Sequence, residues 1–340
     1  MTVAAPIRPG TGRGSDYAAL SRRVGQAGLL ERRPAWYAAR IICTVGAYVA
    51  GWAVFVLAGD SWWQLLTAAG LAVAATQVAF LGHDAGHRQM FRTRRASETA
   101  GLLLGNLATG LGYGWWMDKH TRHHANPNHI DDDPDVGAGA LVWTPEQAAA
   151  TQGAARWLAR WQAYLFFPML LLEGLSLRVS SVRAVLSGPV RRRVLEGSLL
   201  AVHTAAYLGL VFATLPPGRA VAFIAVHQGL WGLYMGCAFA PNHKGMPTFS
   251  AADNLDFLRK QVLTSRNVRG GWFTDLLLGG LNYQIEHHLF PSMPRPHLRH
   301  ARPIVRAHCR EHGLPYTEAG LLDSYAEALR HLHAVGRPLR

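Results

Sequence analysis

Seventeen histidines occur in the 340 residues, and several fall at spacings that bring side chains to one face of a helix. His83 and His87, in GHDAGH, are four residues apart. His120, His123 and His124, in HTRHH, stand at i, i+3 and i+4, and Gln284, His287 and His288, in QIEHH, repeat that spacing. At about 100° per residue each group occupies a narrow sector, so two or three imidazoles can converge on one point. That is ligand geometry. Imidazole suits iron, copper, zinc or nickel. A tetrahedral zinc site uses at most about four ligands, fewer than these seven histidines provide, whereas two iron ions with open positions for oxygen use roughly seven to nine. Any one pair alone reads equally well as an ordinary polar patch; three groups in one chain favour a metal.

The charge pattern says what must position these groups. Residues 41–59, 61–83, 197–218 and 220–243 contain no Asp, Glu, Lys or Arg. Each is long enough to cross a hydrocarbon core, which needs about 20 residues at about 1.5 Å rise. The net charge is +13, but the basic residues flank the apolar stretches instead of forming a stripe with aromatics, which argues against nucleic acid and for a lipid bilayer. Arg22, Arg23, Arg32, Arg33 and Arg40 precede the first stretch, Arg88, Arg92, Arg94 and Arg95 follow the second, and Arg183 with Arg191 to Arg193 precede the third. The loops at 59–61 and 216–219 hold one basic residue, Arg219. The positive-inside bias therefore predicts a multi-pass protein of the cytoplasmic membrane, with both termini and the middle segment cytoplasmic. All three histidine groups then face one compartment.

The uncharged run 99–117 competes as a fifth crossing. Its glycines, at about 1 kcal/mol each relative to Ala, make it a poor isolated helix, and as a crossing it would put the first two histidine groups on opposite faces. It is expected to lie in the interface or line a cavity. The shorter run 161–172, with Pro168, is expected to be interfacial or re-entrant. Residues 1–35 read as a flexible cytosolic tail without a signal peptide, and 316–340 as an amphipathic C-terminal helix carrying Leu321, Leu322, Tyr325, Leu329 and Leu332. The three cysteines imply no disulfide framework.

Other polar residues are weighed in the same way. Asp84, Asp118 and Glu286 adjoin the histidine groups and would serve best by accepting the second ring N–H of a ligand, although Glu286 points about 160° from His288 and suits a neighbouring element. The run Asp131, Asp132, Asp133, Asp135 reads as a solvated turn, and His129, beyond Pro127, as structural or supporting a ligand. His203 and His227 lie deep in apolar stretches and are expected to be neutral and hydrogen-bonded.

HDAGH, HTRHHANPNH and LNYQIEHHLFPSMPR resemble the three histidine boxes of membrane fatty-acid desaturases, over roughly residues 36–315. The third match is the most specific, and its leading Gln is similar to that of bacterial acyl-CoA and acyl-lipid desaturases. The resemblance implies an all-α integral membrane fold, with four transmembrane helices in two hairpins and a cytosolic helical cap holding two non-haem irons. It also implies O2-dependent insertion of a double bond into a long acyl chain. Box by box, it assigns as metal ligands His83 and His87, then His120, His123 and His124, then His287 and His288. An extra ligand is expected from the end of the fourth crossing, at His243. Gln284 replaces a frequent His and either ligates through its amide oxygen or orients a bound water; Asn242 is a further candidate for holding such a water. The domains implied are a tail 1–35, a desaturase membrane domain 36–315 and a C-terminal helix 316–340.

An unactivated methylene has no acidic proton, so the redox cofactor must carry the hard chemistry while the protein positions one carbon pair in an apolar tunnel. Tyr113, Trp115 and Trp116 are candidate wall residues. Electrons must come from outside: the sequence carries no His-Pro-Gly-Gly haem signature, no dinucleotide fingerprint and too few cysteines for an iron–sulfur cluster. A separate NAD(P)H-dependent reductase, with or without a ferredoxin-like carrier, is expected to dock near Arg88 to Arg95 and Arg259-Lys260. The alternatives are a membrane di-iron hydroxylase of alkyl or lipid substrates, or a histidine-rich metal transporter or membrane cytochrome. The last two would place their ligands within the crossings.

Overall fold

The computed structural model describes residues 15–340 except Ala138 and Pro189. The chain forms α1 (Asp16–Gln26), α2 (Pro34–Ala58), α3 (Gln64–Gly86), α4 (Arg94–Leu102), a π-helix (Leu103–Thr109), α5 (Tyr113–Ala125), α6 (Pro145–Ala150), α7 (Gly153–Leu170) and α8 (Glu173–Ser187). It continues with α9 (Arg193–Thr214), α10 (Pro217–His243), α11 (Phe257–Leu263), β1 (Asn267–Val268), α12 (Trp272–Leu277), α13 (Gln284–Leu289), α14 (Arg295–Glu311), β2 (Glu318–Ala319) and α15 (Leu321–Gly336). Two compact units result: residues 1–32, 122–151 and 240–340 make one, residues 33–121 and 152–239 the other.

In the second unit, α2, α3, α9 and α10 are long and apolar enough to cross a membrane, and the bent pair α7–α8 makes up to five. The pair turns through 84°, which answers to the short run expected to be interfacial or re-entrant. The spans carry bare apolar side chains, Leu57 85%, Ile42 71%, Leu66 65% and Val221 60% exposed. Water would penalise such a surface, and lipid does not. Their inner faces bury Phe55, Leu71, Val211 and Phe223 together.

The run 99–117 is not one helix. It passes from α4 into the π-helix, breaks at Gly110 with φ 68°, and restarts as α5. A Cβ at Gly110 would strike the Arg178 guanidinium and the His203 ring, so the left-handed break and the close approach both require glycine. Arg178 donates from Nη1 to His203 Nε2 at 3.0 Å and from Nε to Gln228 Oε1 at 2.8 Å. His203 Nδ1–H donates to the π-helix carbonyl of Leu107 at 2.9 Å, and His227 Nδ1 lies 3.0 Å from the Tyr207 hydroxyl. Both histidines are thus hydrogen-bonded, as expected.

In the first unit, the segment expected to be a flexible tail contains α1, which buries Leu20 and Val24 completely; residues 1–14 of that expectation lie outside the described residues. Its apolar face joins Leu258, Val262, Ile285, Leu289, Leu298 and Val305. Two-residue strands β1 and β2 pair in parallel, Asn267 with Glu318 and Val268 with Ala319. The C-terminal helix forms at 321–336 and buries Ala328 and Leu332, while Leu322 stays 81% exposed. Arg259, expected in a basic docking patch, is instead buried and ion-paired with Asp16 and Asp256.

Candidate metal centre

The first unit gathers His123 from α5, His243 from the end of α10 and His288 from α13. Their ligand atoms all lie within 4.8 Å of one another, and all three residues are buried. His243 Nε2 is 3.3 Å from His123 Nε2 and 3.1 Å from His288 Nε2. Each ring's other nitrogen is taken. His123 Nδ1–H donates to Asp133 Oδ2 at 2.9 Å, His243 Nδ1–H to the Thr264 carbonyl at 3.0 Å, and His288 Nδ1–H to Gln261 Oε1 at 2.8 Å. Gln261 is itself oriented, because its amide nitrogen donates to the His124 carbonyl at 2.9 Å. A neutral imidazole carries one proton, so with Nδ1 protonated the three Nε2 atoms face one point as acceptors, that of His243 also accepting from the Gln284 amide. Without a cation they repel. The donor set therefore fits a metal ion, and a nitrogen-rich set of this kind suits a transition metal.

Each of these histidines is held by its own neighbourhood. The carboxyl of Asp133 is 2% exposed and also accepts from the Asn128 N–H at 2.7 Å, with Asn128 in the left-handed region at φ 58°. Burial works to raise its pKa, but the hydrogen bond and charge of His123 outweigh it and hold the group below the usual carboxylate range. His243 ends α10, and the fully buried Arg266 side chain caps that end by donating to the carbonyls of Pro241 and Lys244 at 2.8 Å. In α13 every residue is buried; the Asn267 side chain accepts from the Ile285 N–H at 2.9 Å and donates to Glu286 at 2.8 Å. Tyr316 donates to the other Glu286 oxygen at 2.6 Å. Burial pushes Glu286 up to about 7, against the pull of these hydrogen bonds.

Gln284 joins this group. Its amide nitrogen donates to His243 Nε2 at 2.8 Å, and its oxygen accepts from Asn242 at 3.2 Å. His124 and His287 lie beside the trio, His124 stacked on His288 with centroids 4.2 Å apart and 4.8 Å from the His287 ring.

The second unit gathers His83, His87 and His120, with ring centroids 4.6 to 5.0 Å apart. His87 Nε2 and His120 Nε2 are 2.8 Å apart, and Trp116 stacks on His120 at 4.4 Å. A Cβ at Gly86 would come within 2.6 Å of Trp116, so the second glycine of GHDAGH admits α5 to α3.

Several expectations need correction. The aspartate run is not simply a solvated turn: Asp131 and Asp132 are exposed, while Asp133 turns inward to His123. Local turn geometry, with Pro134 and the Asn128 bend, aims it, and composition alone hides this. Among the adjoining carboxylates, Asp84 lies 3.6 Å from His83 Nδ1, Asp118 is exposed, and Glu286 serves Asn267 and Tyr316, as its direction on the helix suggested. Gln261, Thr264 and Arg266 carried no spacing signal. His129 is structural, its Nδ1 accepting from the N–H groups of Asp131 and Asp132 at 3.2 Å.

A family model for fatty acid desaturases matches residues 60–320. The chain belongs to the fatty-acid desaturase family. It is similar to an acyl-lipid (9-3)-desaturase of Physcomitrium patens, 31% identical over 88% of this chain and 58% of the relative. A delta(8)-fatty-acid desaturase of Helianthus annuus is 29% identical over 96% of this chain and 74% of the relative, and a delta(6)-fatty-acid desaturase of Caenorhabditis elegans is 32% identical over 79% and 64%. The chain thus spans less than two thirds of the length of the moss and nematode desaturases.

If Asp133 fixes the His123 tautomer, Asp133→Asn weakens metal retention about 10- to 100-fold, while Asp132→Asn leaves it unchanged. Metal content across a chelator series checks this; equal retention in both variants would contradict it.

Proposed function

We propose that this desaturase-family protein uses a histidine-bound di-iron centre and O2 to introduce a double bond into a long acyl chain, carried on CoA or in a lipid. The observation that carries the reading is the buried trio His123, His243 and His288, whose Nδ1 protons are all engaged, leaving Nε2 for a metal. The ligand set is the family's: His83, His87, His120, His123, His124, His287 and His288, with His243 as the additional member. Gln284, whose amide nitrogen faces His243 while Asn242 holds its oxygen, orients the group instead of ligating it directly. Residues 36–315 form the working domain.

Bound iron, with O2, supplies the oxidising power that unactivated C–H bonds demand. The residues of this chain do the rest. Asp133, Gln261 and the Thr264 carbonyl keep each Nδ1 protonated and each ring in place. Trp116 covers the His120 ring and, with Tyr113 and Trp115, provides apolar wall for the acyl chain. Removing two hydrogens from the chain and reducing O2 to two waters requires two electrons and two protons. These come from a separate NAD(P)H-dependent reductase, with or without a ferredoxin-like carrier, docking near Arg88 to Arg95.

Expression in a host followed by mass spectrometry of its lipids gives a new unsaturated acyl species. His123→Ala and His287→Ala abolish that product and lower bound iron without preventing membrane insertion. An active His123→Ala protein with full iron would refute the assignment, and sustained turnover of purified enzyme on NAD(P)H alone would refute the separate donor.

The same reading puts both termini and the histidine groups on the cytoplasmic side of the cell membrane, because arginines flank the spans so unevenly. Single engineered cysteines near Asp60 and Pro216 then react with an impermeant thiol reagent added outside, and one at residue 105 does not. Outside labelling at 105 would overturn this topology.

A further inference from the structure

Helix α14 presents another set of donors, none of them in the histidine boxes. His308, Glu311 and His312 stand at i, i+3 and i+4, and their ligand atoms lie within 4.8 Å of one another. The His308 ring is 0% exposed, and neither Nδ1 nor Nε2 makes a hydrogen bond of sound geometry among the described residues, although the Asp16 backbone lies near enough to favour its protonation. Buried polar groups are rarely left so, and the deficit calls for an occupant. Burial, with His312 and Arg23 nearby, pushes His308 below the ordinary imidazole range, which keeps it neutral and able to bind a metal.

His312 packs on it with ring centroids 4.1 Å apart. Its Nδ1–H donates to the His308 carbonyl at 2.9 Å, so in the neutral ring the lone pair is on Nε2. That nitrogen sits 3.6 Å from Asp16 Oδ1 on α1. A lone pair facing a carboxylate oxygen is repulsive unless a proton or a metal cation lies between them. The arginines that face the cluster each take one carboxylate oxygen: Arg23 binds Glu311 Oε2 at 2.7 Å and Arg259 binds Asp16 Oδ2 at 3.1 Å.

We propose that His308, His312 and Glu311, with Asp16 beside them, form a mononuclear site for a divalent transition metal of zinc's class, which fastens α1 to α14. Two imidazoles and a carboxylate are a usual zinc donor set, and the i, i+4 pair on one helix presents both rings to one ion. The carboxylates offset the charge of the ion, and the metal satisfies His308 at the same time.

The test loads the full-length detergent-purified protein with zinc sulfate, removes unbound metal and measures zinc and iron by mass spectrometry. His312 caps the C-terminal end of its helix with a side chain 29% exposed, so His312→Ala is expected to fold. That variant should hold one zinc per chain fewer than the wild type with unchanged iron, and His312→Cys should restore the zinc. His287→Ala should retain this zinc. A second readout is Co2+ titration of the wild type, which should give tetrahedral d–d absorption that zinc displaces and that His312→Ala lacks. Equal zinc in the wild type and His312→Ala, or cobalt spectra indifferent to that substitution, would overturn the proposal and leave a proton shared between His312 and Asp16 as the occupant.

Discussion

The candidate centre depends on a single constraint, the fixing of ring protons. Three buried imidazoles meet through Nε2, and this is tolerable only because Asp133, the Thr264 carbonyl and Gln261 hold the protons on the far nitrogens and a cation can sit among the lone pairs. Taking away one acceptor frees a proton to migrate to Nε2, where it competes with the metal. The three histidines and their supporters therefore form one unit, and much of the surrounding architecture serves it. Arg266 caps the helix that ends in His243, Asn267 and Glu286 anchor the short helix of the third box, and the Asn128 bend carries Asp133 to His123.

Buried Nε2 atoms held 3.1 to 3.3 Å apart, with the ring protons on the far nitrogens, favour a cation among them. The membrane unit solves a different problem with the same means. Arg178 is brought between helices, and its guanidinium is met by His203 and Gln228 while His203 ties back to the π-helix. Where a polar side chain must leave water, each donor needs a fixed acceptor.

What the sequence revealed follows from the range of each signal. The apolar spans extend over about twenty residues each, so 41–59, 61–83, 197–218 and 220–243 largely coincide with parts of α2, α3, α9 and α10. The boxes are local in helical spacing, so the histidines were legible without knowledge of packing. Asp133, Gln261, Thr264 and Arg266 were not, because their roles arise from contacts between segments distant in the chain, and nothing in their immediate neighbours distinguishes them from surface or turn residues. The same limit explains α1. Its buried residues Leu20 and Val24 sit among arginines and glycines that read as a tail, and only the apolar face of α11, α13 and α14 gives them a partner. The run 99–117, expected not to cross because of its glycines, is broken into α4, a π-helix and α5, and the π-helix and the left-handed Gly110 depend on the arrival of Arg178.

The central claim is that imidazole Nε2 atoms hold the metal. X-ray absorption at the iron edge on purified, active protein measures it most directly. The arrangement predicts a nitrogen-rich first shell at about 2.0–2.2 Å, with the outer-shell scattering of roughly three or more imidazoles per iron. An oxygen-only shell without imidazole scattering, in protein that retains iron and activity, would contradict it.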